Sequence, residues 1–176
     1  MADKMVTGLF RDRESAERAY GYFGARGYTP DDVDVLMSDE TRRKYYGDTK
    51  DQKVVETELG TKALEGAGVG AGVGAVAGGA LAALAAAATI LIPGVGLVVA
   101  GPIAAALAGA GAGGVTGGII GGLIGYGIPE ERAKLYESGL KEGGIVLGVK
   151  PRTDEDADYF AREWKNTRGE HIYGPR

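Results

Sequence analysis

The chain of 176 residues has no cysteine, one histidine and one tryptophan. Without cysteine there is no disulfide framework, thiolate nucleophile, zinc finger or cysteine-held iron–sulfur cluster. A single histidine excludes a multi-histidine metal site within one chain. There is no excess of positive charge either: 20 basic residues face 24 acidic ones, a formal charge of −4 and a pI near 5.1. That balance speaks against a general nucleic-acid binder, which carries a basic stripe or patch. Most telling is a local absence. Between Glu65 and Glu130 no residue is charged, over 64 positions of which 20 are Gly and 18 are Ala.

The charged residues are therefore crowded into the two outer parts, 1–65 and 130–176. Both are mixed-sign and nearly neutral, as a soluble surface is. Residues 5–10 form a short apolar run. Asp12 is placed to cap a helix, and Ala16, Ala19, Tyr20 and Phe23 recur at i, i+3, i+4, i+7. Gly27 fits the helix stop, and residues 28–32 read as a turn. Val33, Val35 and Met37 alternate with Asp34 and Leu36, which predicts a strand with one buried face.

The C-terminal part repeats this plan. Gly143 and Gly144 stop a helix, and 145–149 is a β-prone run. Thr153 caps the next helix, with Asp156 at the capping-box position. Ala157, Phe160, Ala161 and Trp164 repeat the helical spacing, and 170–173 predicts a closing strand. Two β-α-β halves combine most economically into one α+β domain, a ferredoxin-like, four-stranded sheet with two helices on one face. A different α+β sandwich is the alternative. Neither half has the apolar area to stand alone, so 1–65 and 130–176 are expected to fold together.

The middle, 66–129, reads as an inserted glycine-zipper α-hairpin. Gly66, Gly70, Gly74 and Gly78 are spaced by four, continued by Ala82. A second row runs Gly101, Ala105, Gly109, Gly113, Gly117, Gly121 and Gly125. Spacing by four keeps residues on nearly one helix face. A stripe without side chains lets another backbone approach closely. Each glycine also disfavours a helix by about 0.8–1 kcal/mol relative to Ala, so close packing has to reward it. Ile92-Pro93-Gly94-Val95-Gly96 divides the segment into arms 66–92 and 97–127, read as helices roughly 40 and 46 Å long.

Either arm is long enough for a hydrocarbon core of about 30 Å. A membrane hairpin is thus one reading. Weak Ala/Gly hydrophobicity, missing aromatic belts and flanks without Lys/Arg bias count against it. A core shared among many copies explains the weak hydrophobicity better. A flexible linker does not fit the four-residue spacing. If the outer parts share a sheet, any membrane passage has to occur an even number of times.

With these elements in order, the chain resembles the bacterial general stress proteins that carry a heat-induced-stress-protein domain and an inserted low-complexity glycine zipper. The carrying residues are Val6 to Phe10 with Arg11-Asp12-Arg13-Glu14-Ser15-Ala16 and Gly27-Tyr28; Ile92 to Gly96 with Ala100-Gly101-Pro102; Gly127-Ile128-Pro129-Glu130-Glu131-Arg132-Ala133; and Gly139 with Glu142-Gly143-Gly144-Ile145-Val146. Each motif alone is unspecific; their order is the signal, and it covers most of the chain. The resemblance implies a stress-linked protein, cytoplasmic or membrane-associated, with no established enzymatic activity and no catalytic residues to transfer.

The residues agree on the last point. Neither Gly66 to Ala71 nor Gly111 to Thr116 fits a dinucleotide fingerprint, and no Walker loop occurs. Arg42-Arg43-Lys44-Tyr45-Tyr46 offers cations beside aromatics, a phosphate or nucleic-acid pattern, but reads first as a surface helix or solvated loop. Asp31, Asp32 and Asp34 have the chemistry to approach a cation, though a turn explains them. His171 reads as a solvent-facing strand residue rather than a general base. The expectation is a non-enzymatic protein without cofactor or metal, whose partner is itself and whose interface is the zipper row named above. Membrane lipid around the hairpin, with an effect on permeability, is the rival. A small-ligand-binding regulatory domain anchored by the hairpin is a third reading.

Overall fold

Asp12 and Thr153 start two helices as their sequence context predicts. The Asp12 carboxylate accepts the Ser15 N–H at 2.8 Å, and the Thr153 hydroxyl accepts the Asp156 N–H at 3.1 Å. In the computed structural model, which describes residues 5–46, 90–92, 96–104 and 118–174, these helices belong to a mixed α+β fold. The elements are β1 (Val6–Phe10), α1 (Arg13–Ala25), a single 3-10 turn (Pro30–Asp32), β2 (Val33–Ser38), α2 (Asp39–Tyr46), β3 (Ile90–Ile92), β4 (Leu97–Ala100), α3 (Gly118–Gly125), α4 (Glu130–Lys141), β5 (Ile145–Val149), α5 (Asp154–Asn166) and β6 (Glu170–Tyr173).

The described strands form one sheet in the order β3-β4-β2-β5-β1-β6, with every neighbouring pair antiparallel. β5, from the C-terminal part, lies between β1 and β2 from the N-terminal part. Val149 stands opposite Val6 on one side and Val33 on the other. The outer segments 5–37 and 144–173 thus share hydrogen-bonded strands.

Both sheet faces are covered. On one, α1 and α5 bring Ala16, Ala19, Phe23, Phe160 and Trp164 onto Val6, Phe10, Val35 and Leu147. Trp164 meets Phe10 and Phe23 edge-on at 5.6 Å, and its indole N–H donates to the Ala19 carbonyl at 3.3 Å. On the other face α3 and α4 bring Ile119, Leu123, Ala133, Tyr136 and Leu140 onto Leu9, Leu36, Val99 and Val146. Burying each such large side chain stabilises the fold by about 1.5–3 kcal/mol.

Two expectations are corrected here. β2 is buried on both faces along Val33 to Met37, not on one, because α3 and α4 cover the second face. Ile90–Ile92 and Leu97–Ala100 are strands, not the facing ends of two helical arms. They pair as a hairpin, Ile92 opposite Leu97, and β4 joins the edge of β2. The reason is composition. Ile and Val are β-branched residues that suit a pleated surface. The four strands of the outer parts, β2-β5-β1-β6, are extended at the β2 edge by β3 and β4, and α3 and α4 cover the second face. The zipper rows before residue 90 and over 105–117 lie outside the described residues.

Candidate functional site

Of the zipper residues, Gly66, Gly70, Gly74, Gly78, Ala82, Ala105, Gly109, Gly113 and Gly117 lie outside the described residues; Gly101, Gly121 and Gly125 lie within them. The three are not equivalent. Gly101 follows β4 at φ +94°, and a Cβ there would stand 2.0 Å from the Val33 carbonyl oxygen. Its missing side chain lets the chain leave the sheet against the start of β2, a close approach within the molecule.

Gly121 and Gly125 sit on α3, and among the described residues no atom beyond the helix itself lies within 4 Å of where a Cβ would be. The helix spacing explains this. Ile119 and Leu123 face inward, so positions 121 and 125 fall on the far side. Ile124 lies beside them with 42% of its surface exposed, and Leu135 of α4 has 40%. The outward side of α3 is therefore apolar and carries two side-chain-free positions one turn apart.

The basic–aromatic stretch forms α2, opened by the Ser38 hydroxyl, which accepts the Thr41 N–H at 3.0 Å. Its cations are committed within the fold. Arg42 and Arg43 both pair with Asp39 at 2.9 Å, and Lys44 lies over the Tyr45 ring. That arrangement does not present a row of free cations to a phosphate chain.

His171 is half-buried, at φ +50°, and its carbonyl oxygen accepts the Tyr136 hydroxyl at 2.7 Å. The same hydroxyl pairs with the Thr7 hydroxyl at 2.8 Å. The backbone of His171, rather than its imidazole, is engaged. No group of three or more His, Asp or Glu among the described residues is arranged to hold a metal ion. No helix among them is long and apolar enough to cross a membrane.

The three aspartates near β2 take different places. Asp32 accepts the Thr29 N–H and hydroxyl at 2.9 Å and pairs with Arg152, contacts that hold its carboxyl below the ordinary range against a smaller opposing effect of burial. Asp34 is 1% exposed. Its Oδ1 accepts the Ile103 N–H at 2.7 Å. Its Oδ2 has no well-formed hydrogen bond. Burial pushes this carboxyl up to about 7, while the Ile103 N–H, the Tyr126 hydroxyl and the Lys150 ammonium pull the other way.

Gly148 makes the space for this carboxyl. It stands opposite Asp34 in the sheet register, and a Cβ on it would lie 2.5 Å from Met5 Cε and 3.3 Å from Asp34 Cβ. The sequence places Asp34 on the outward side of a half-buried strand, and groups it with Asp31 and Asp32 at a turn; neither reading shows its burial. The signal that separates it from Asp31 and Asp32 is the cross-strand register, which sets a glycine against it.

No protein-family model, curated protein or solved structure matches the chain.

Proposed function

We propose that this protein is a non-enzymatic, self-assembling stress protein whose copies associate through the glycine-zipper stripe of the inserted segment. The supporting observation is the outward side of α3. Gly121 and Gly125 lie beside the exposed Ile124, and a Cβ on either would meet no atom of the described residues within 4 Å. Glycines in a helix interior cost about 0.8–1 kcal/mol each without a packing return, and among the described residues these two have none. A neighbouring backbone supplies it by approaching closely over the stripe.

The ferredoxin-like reading of the outer parts draws support from the order β2-β5-β1-β6, all antiparallel, with α1 and α5 on one face. In that reading the insert leaves the domain between β2 and β5 and returns through α4. The order of motifs that resembles the general stress proteins supports the link to stress. Sizing tests the proposal: purified without detergent, the protein should scatter light as a particle many times its 18.1 kDa chain mass. A monomer at all concentrations overturns it, and recovery only with lipid or detergent favours the membrane hairpin instead.

A further inference from the structure

We propose that Asp34 is a proton-sensitive latch that holds residues 101–104 and 118–128 of the insert against β2. The argument begins with placement. Asp34 is on the sheet face that α3 and α4 cover, and its Oδ1 receives the N–H of Ile103, the second residue after the tight Gly101 corner. Tyr126, directly after α3, acts on the same carboxyl. One buried side chain thus touches the insert at both described segments that follow β4.

The chamber around it is shaped for a carboxyl and little else. Gly148 leaves the room, Met5 closes one side, and Ile103 and Ala104 are buried against it. Among the described residues, the ionisable groups facing it are few. Lys150 comes from the end of β5, with its ammonium over the Tyr126 ring at 5.4 Å, and Tyr126 from the chain after α3. α4 turns Tyr136 to this face, with Arg132 beside it, but the Tyr136 hydroxyl is engaged by Thr7 and the His171 carbonyl. Met5 and the 102–104 turn contribute no charge. A carboxylate formed here accepts the Ile103 N–H on Oδ1 and has the Tyr126 hydroxyl and the Lys150 ammonium close by, while its Oδ2 has no hydrogen bond of good geometry among the described residues.

The switch is an ionisation: the carboxyl releases its proton to solvent and becomes an under-solvated carboxylate. Buried charge with incomplete partners is relieved by admitting water, and the cheapest entry is to lift the 101–104 and 118–128 segments. The sign follows from linkage. The closed state keeps its proton up to about pH 7, whereas an opened, solvated carboxyl loses it near 3.8. Opening therefore becomes easier as pH rises from about 4 to about 7 and levels off above. The latch is closed on the acid side and loosened at neutral and alkaline pH. It operates within one chain, so it stands whether or not copies assemble.

Hydrogen–deuterium exchange of the full chain tests this, with rates corrected for intrinsic chemistry. Protection of the Ile103, Ala104 and 119–128 amides should fall at least tenfold between pH 5 and pH 7.5, while the β5 amides hold theirs. In Asp34→Asn the dependence should disappear. Lys150→Met, at an exposed position, should move the midpoint to higher pH, which keeps the test decisive if Asp34→Asn does not fold. Equal slopes in wild type and Asp34→Asn, an unmoved midpoint in Lys150→Met, or a parallel loss across β5 would each overturn the latch.

Discussion

The Tyr28 hydroxyl donates to Asp156 Oδ2 at 2.7 Å and accepts the backbone N–H of Arg152 at 2.6 Å, joining the turn after α1 to the start of α5. Arg26 adds its guanidinium to the same carboxylate and lies over the Tyr159 ring. Asp156, which the sequence places as a capping-box acid, is thus turned to the neighbouring half of the fold. Tyr28→Phe leaves the Arg152 N–H and one carboxylate oxygen short of a partner. An unsatisfied buried group costs about 1–3 kcal/mol; Asp156 is buried while Arg152 lies at an exposed position open to water, so the variant should lose stability in that range by urea titration.

The same site sets an acid limb. Burial works to raise the Asp156 carboxyl, but Tyr28, Arg26 and Thr153 together hold it below the ordinary value of 3.8. A depressed pKa contributes stability that is present above 3.8 and lost as pH falls through the lower folded value. Acid unfolding of Tyr28→Phe should begin at higher pH than that of wild type. Circular dichroism between pH 5 and pH 2 checks this, and coincident acid transitions would show that the hydroxyl does not stabilise the charge.

Gly27 and Gly101 both have positive φ, at +72° and +94°, yet their substitutions should differ sharply. Alanine at Gly27 meets no atom of the described residues within 4 Å, so the left-handed backbone sets its penalty, about 1–2 kcal/mol. Alanine at Gly101 adds a clash with the Val33 carbonyl, and strain plus overpacking should total about 3–5 kcal/mol. Denaturant midpoints compare the two directly; equal losses would mean that the β4 corner moves freely.

Leu9 fits a notch between Gly139 of α4 and Gly144, where added Cβ atoms would stand 2.3 and 2.8 Å from its methyl carbons. Gly139→Ala should cost about 1–3 kcal/mol through overpacking. Shortening the intruding side chain should return part of that loss. In a double-mutant cycle, Leu9→Ala with Gly139→Ala should therefore be less destabilised than the sum of the single changes. Strict additivity would place the contact elsewhere.

These relationships also show what was legible beforehand. Asp12, Thr153 and the i, i+3, i+4, i+7 faces of α1 and α5 announced themselves because capping and amphipathic spacing are local. The run from Ile90 to Ala100 did not. An apolar stretch bounded by Gly and Pro has the same look as a buried helix end or a strand pair, and only pairing with β2 decides. Asp34 was read as the polar side of a half-buried strand because nothing in its neighbours reports α3 and α4 closing over that face. Gly101 entered a four-residue row by arithmetic, while its position depends on the Val33 carbonyl, 68 residues earlier in the chain.

Gly121 offers the cleanest test of the zipper. A Cβ there meets no atom of the described residues within 4 Å, so a leucine starts without overpacking against them. Leucine is also a better helix former than glycine, by somewhat under about 1 kcal/mol. If the outward side of α3 is solvent-facing in the working protein, Gly121→Leu should leave the mass unchanged and the fold intact or slightly firmer. If another backbone lies over it, the leucine forces the two apart, at about 1–3 kcal/mol per contact repeated in every subunit. The proposal commits to the second outcome: a fall in particle mass by light scattering, with the circular dichroism of the α+β fold preserved. A particle of unaltered mass would remove Gly121 and Gly125 from the interface and with them the support that α3 lends to self-assembly.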